Sequence, residues 1–116
     1  MALPKAETRV DLSNVRAAYE FADVDEVTAR LQEYPFLVPL LEEARGRLAA
    51  HFGPDAPVRI DLAFDPEERD RSLFARVLTD LPVDEALDQL DEFDEEWWLE
   101  AGRASQHLLH FDIEFA

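Results

Sequence analysis

The chain has 116 residues, 47% of them apolar and 10% aromatic, and its 27 acids against 11 bases give a formal net charge of -16. That size fits one hydrophobic core rather than two, and the apolar share excludes global disorder. A field of this sign repels phosphate backbones and anionic lipid, so no direct binding of nucleic acid or membrane is expected.

With no cysteine in the chain, disulfides, thiolate nucleophiles and sulfur-ligated zinc are all removed. No apolar run approaches the roughly 18 residues of a membrane span, and MALPKAETRV lacks the apolar core of a secretory signal, so a cytoplasmic protein is expected.

Residues 1–22 show no sustained period, although Val10, Leu12, Val15 and Tyr19 hint at a short amphipathic segment; a partly mobile N-terminal arm is expected there, with a single α+β domain over 23–116. Asp23 or Asp25 is placed to cap a helix carrying Val24, Val27 and Leu31, which Tyr34 before Pro35 ends. FLVPLLEEARGRLAAHFG reads as a second helix, with a core stripe of Leu37, Leu40, Leu41, Ala44, Leu48 and Phe52 and a stop at Gly53. Pro39 fits its first turn.

After the turn signal GPDAP, VRIDLAF alternates strictly, with Val58, Ile60, Leu62 and Phe64 on one side and Arg59, Asp61 and Ala63 on the other: a half-buried strand. The polar loop DPEERDRS separates it from a second strand, LFARVLT, in an open hairpin. LPVDEALDQLDEF is a third helix with Val83, Leu87, Leu90 and Phe93 along its core side. DEFDEEWWLE either continues it or starts a fourth helix at an Asp94 N-cap. HLLHFDIEF closes the chain as a strand. The order ααββα(α)β predicts an α+β domain whose three-stranded, mainly antiparallel sheet carries helices on one face.

No glycine-rich phosphate loop, nucleophile elbow or HExxH motif is present, and no cofactor is expected. The candidates for metal binding or acid–base chemistry are Asp61, His110, Asp112 and Glu114, which share the polar side of the sheet and offer oxygen and imidazole ligands. Simple alternation of a solvated strand face explains the same pattern. The DPEERDR loop resembles a calcium loop in composition, but Pro66 and two arginines interrupt the spacing of ligands.

The helical acid field is different in kind. From Val77 to Gly102 there are ten acids and no lysine or arginine. Asp84, Asp88, Asp91 and Glu95 form one stripe at helical spacing; Glu85, Glu92, Glu96 and Glu100 form another. Each like-charged pair three or four residues apart costs a helix about 0.2–0.5 kcal/mol. Such unrelieved repulsion suits a solvated face, one that other arginines of the fold reach across, or one that meets a basic partner. In helical phase Trp97 extends the core stripe, whereas Trp98 is rotated by roughly 100° toward the acids. There it either roofs the core against the last strand or anchors an arginine-rich partner.

EYPFLVPLLEEA (Glu33 to Ala44), the FDPE after the first strand, FDEEWWLEAGRA and the terminal DIEF together resemble a family of small, uncharacterised, acidic bacterial proteins. The resemblance runs from about Glu33 onward and implies no activity or site residue. The residues themselves lead to an expectation of a non-enzymatic module that binds a basic protein, in the manner of an antitoxin, an inhibitor or a nucleic-acid mimic. Its binding surface would comprise Asp84, Asp88, Asp91, Glu92, Glu95, Glu96 and Trp98. The alternative is a small metal-dependent or acid–base enzyme using the sheet-face residues.

Overall fold

The computed structural model describes residues 10–116. They run as α1 (Ser13–Ala18), β1 (Glu20–Phe21), α2 (Val24–Glu33), α3 (Leu37–Phe52), β2 (Val58–Asp65), β3 (Asp70–Thr79), α4 (Val83–Phe93), a π-helical turn (Asp94–Trp98), α5 (Leu99–Ala101), a 3-10 turn (Gly102–Ser105) and β4 (Leu109–Phe115). The α+β class is as expected.

Local chemistry sets most of these boundaries. Asp23 caps α2 by accepting the Glu26 N–H at 3.0 Å, and Glu33 ends the helix one residue before the Tyr34–Pro35 pair. Gly53 stops α3 at φ +96°, a backbone setting that side-chain-bearing residues rarely adopt. Between β2 and β3 the chain turns at Arg69, whose φ is +57°. Gln106 and His107 both adopt left-handed φ and reverse the chain from the 3-10 turn into β4.

The sheet has four strands rather than three, in the order β1-β2-β3-β4, and it is mixed rather than mainly antiparallel. β2 and β3 form the expected hairpin, with Val58 opposite Val77 and Asp65 opposite Asp70. β1 joins β2 in parallel, and β4 joins β3 in parallel. β1 is only two residues long, too short for alternation to show. β4 is parallel because the chain leaves β3 at Thr79 and a helical crossover carries it back to the end of the sheet where β3 began, so that Leu109 starts beside Leu73.

One face of the sheet is covered by helices: α2 meets β2, α3 meets β3 and α4 meets β4. Between the layers lie Val27, Leu31, Leu41, Leu48, Ile60, Leu73 and Val77, all fully buried. Each such side chain contributes on the order of 1.5–3 kcal/mol through removal from water. The segment expected as an N-terminal arm divides. Residues 1–9 lie outside the described residues, whereas α1 and β1 belong to the fold, burying Leu12, Val15 and Tyr19. The Tyr19 hydroxyl donates to the Leu41 carbonyl at 2.6 Å, and burial raises its pKa well above the usual tyrosine range.

Candidate interaction surface

α4 opens behind Pro82 and directs Ala86 and Phe93 into the core. Its acids point the other way: Asp84, Glu85, Asp88, Asp91, Glu92, Glu95 and Glu96 are exposed. Two acids of the wider field have basic partners among the described residues. Glu96 meets His51 Nε2 at 3.0 Å, and Glu100 stands 3.7 Å from Arg103. Asp84, Glu85, Asp88, Asp91, Glu92 and Glu95 form no ion pair among the described residues. Asp94 is half-buried at the margin, and burial, helped by the Asp91 charge, raises its pKa.

Asp94 is not a new N-cap. Its backbone is helical, and the Leu99 N–H bonds back to the Asp94 carbonyl, five residues earlier. A π turn holds one residue more than an α turn, so the 100° phase rule fails across it. Two adjacent tryptophans therefore both lean inward. Trp97 meets Phe93 at 5.7 Å between ring centroids and carries the Arg47 guanidinium 5.2 Å above its ring. Trp98 meets Phe111 of β4 edge-on at 4.6 Å and packs against Gly102. Trp98 thus roofs the core rather than standing clear as an anchor.

The apolar groups bordering the acids are ones that sequence reasoning assigned to the core or overlooked. Val83 is 55% exposed, Leu87 47% and Leu99 66%. Val83 and Leu87 have the right helical phase, but α4 lies over the outermost strand, so that side of the helix has no sheet to cover it. On its other side α4 is tied to α3, where His51 Nδ1 lies 2.9 Å from Gln89 Oε1.

On the uncovered sheet face the register brings Asp61, His110, Asp112 and Glu114 to one side, as expected from alternation. They do not converge on a common point. Arg76 donates to Asp61 at 2.6 Å, and Arg59 pairs with Glu114. His110 stacks on Phe74 at 5.0 Å, and its Nε2 lies 2.9 Å from Asp65 Oδ2 at an angle poor for a hydrogen bond. Asp112 accepts the neighbouring Ile113 N–H at 2.8 Å. No group of three or more histidines and acids among the described residues is placed to hold a metal ion. The concavity on this face, bordered by Glu20, Arg59, Arg76 and Glu114, holds about 130 Å³, well below the roughly 300–1,000 Å³ of small-molecule sites.

Asp65, the first residue of the polar DPEERDRS segment, is buried, with only 7% of it exposed. It accepts the Glu67 N–H at 3.0 Å, which holds the start of the turn in place.

Fold and surface together describe a small α+β protein with a mixed sheet, an ion-paired open face and one acidic helical flank. No protein-family model matches the chain, and neither a curated protein nor a solved structure does. No helix among the described residues is long and apolar enough to cross a membrane.

Proposed function

We propose that the chain is a non-enzymatic interaction module whose acidic α4 flank recognises a basic protein partner. One observation carries this reading: six exposed carboxylates lie along a helical flank without an ion pair among the described residues, while Arg47, Arg59, Arg71 and Arg76 are each paired with an acid elsewhere in the fold. Arg59, Arg71 and Arg76 neutralise acids around the sheet, and Arg47 serves Glu43 and Trp97. The flank keeps a repulsion that a basic surface would relieve. Val83, Leu87 and Leu99 supply apolar area at its margin, the part of an interface that gives packing beyond charge steering.

The test is capture from native lysate at low and high salt, with the bound proteins identified by mass spectrometry. A basic partner retained at low salt and released at high salt supports the proposal, as does its loss when Asp88, Asp91, Glu92 and Glu95 are changed to Asn or Gln. Equal capture by that variant overturns it.

A further inference from the structure

β4 is the last strand of the sheet. The Leu73 N–H bonds to the Leu108 carbonyl, and the Ala116 N–H bonds to the Thr79 carbonyl. In a parallel ladder with this register, the β4 backbone groups directed at β3 belong to His110, Asp112 and Glu114. The N–H and C=O groups of Leu109, Phe111, Ile113 and Phe115 therefore point away from the sheet. Among the described residues no strand pairs with that side.

The rim of this edge is apolar above and acidic below. Phe115 pairs with Thr79, and α4 starts four residues after Thr79, so Val83 begins near Phe115. Leu87 lies roughly 200° around α4 from Gln89, which faces α3. Val83 and Leu87 thus lie exposed on the side of α4 away from α3, and Phe115 is itself 45% exposed. On the opposite face the edge carries Asp112, which forms no ion pair among the described residues, beside Glu114, which Arg59 holds.

We infer that the β4 edge accepts an extended basic segment of the partner as a fifth strand, with its apolar side chains on the α4 side and its basic side chains over Asp112. Backbone pairing of this kind supplies affinity, and alternate side chains supply selectivity. The inference rests on the acidic-flank reading and specifies its binding mode. Charge selects the occupant. A second copy of this chain would set Asp112 and its neighbours against their own kind, each copy bringing a net charge of -16, and like charges on adjacent strands are destabilising. The Asp112 cap on the Ile113 N–H blunts self-pairing in the same way. A basic strand would draw that carboxylate off the edge and take the N–H itself.

The test uses a synthetic nine-residue peptide alternating arginine and valine, with two twins that are N-methylated on one or the other alternate set of backbone nitrogens. A docked strand turns only one set toward β4. The expected result is that one twin binds as the parent does and the other loses about tenfold or more, the scale of one or two lost backbone hydrogen bonds. Ile113→Pro should reproduce that loss, because its ring blocks an outward N–H and removes no bond to β3. If the proline variant does not fold, the twins decide alone. Equal binding by all three peptides, weakened by salt and by neutralising Asp88, Asp91, Glu92 and Glu95, overturns the edge site and leaves the acidic flank standing. Binding by none of them also overturns it and leaves the flank to the lysate capture. A dimer in sedimentation that Ile113→Pro dissolves overturns it in favour of self-pairing.

Discussion

The indole of Trp98 meets the ring of Phe111 edge-on, 4.6 Å between centroids, and so joins the helical flank to the outermost strand. A Cβ added at Gly102 would lie 3.0 Å from Trp98 Cε2. The indole is therefore pressed from two sides.

Gly102→Ala tests that clamp. Gly102 has helical φ and ψ, so alanine should gain up to about 1 kcal/mol of backbone propensity. Overpacking against an indole that cannot retreat costs about 1–3 kcal/mol. The expected outcome is a net loss near 1 kcal/mol in urea denaturation, which disappears in a Trp98→Phe background. Additive behaviour of the two substitutions would show that Trp98 is free to move.

Asp94 gives a pH signature. Its folded-state pKa is raised by burial and by the Asp91 charge, so the native state holds its proton more tightly than the unfolded chain does. For a raised acid, the charged form opposes folding. This group's penalty is absent below the unfolded pKa and grows as pH rises through the carboxylate range. Asp94→Asn should stabilise the protein at neutral pH, and the gain should vanish on acidification to about pH 3. Thermal melts of both proteins across that range measure it.

His51 holds α4 against α3 through Gln89 and Glu96, with its ring edge-on to Phe93. His51→Ala leaves Gln89 without its partner and opens the packing beside Phe93, at a cost of about 2–3 kcal/mol. Glu96→Gln keeps an acceptor on an exposed side chain and should cost about 0.5 kcal/mol or less. Similar losses for the two would place the main tie at Glu96 rather than at Gln89 and Phe93.

The sheet face predicts indifference to divalent cations. Asp61 and Glu114 are held by Arg76 and Arg59, and a metal would have to displace both guanidinium groups to gather their carboxylates. Magnesium, manganese and calcium should leave the melting temperature unchanged. A saturable rise in melting temperature that Asp61→Asn abolishes would restore the metal-dependent alternative.

Legibility followed the physics of each segment. α2, α3, β2 and β3 were readable because Asp23, Gly53 and the Val58-to-Phe64 alternation are local signals with local causes. β1 was not, since Glu20 and Phe21 carry no period and join the sheet only through distant Arg59 and Ile60. Val83 and Leu87 were phased correctly but assigned to the core, because nothing in α4 shows that it overlies the last strand. Of the two places left open for Trp98, the structure takes the roof against the last strand; a fixed 100° step could not choose between them, because the extra residue of the π turn shifts the phase. The six acids of the flank were readable as unpaired within their own helix, whereas the engagement of Glu96 by His51 depended on tertiary contact.

The mixed sheet also implies an order of assembly. Only the β2–β3 hairpin pairs residues close in sequence. The two outer strands must find partners far along the chain, Glu20 at Arg59 and Leu109 at Leu73, and closing such long loops comes late and slowly. In native-state hydrogen exchange the amides of β2 and β3 should be the last to open and those of β4 among the first. β4, whose outer side pairs with no strand among the described residues, would then be one of the two strands the chain secures last.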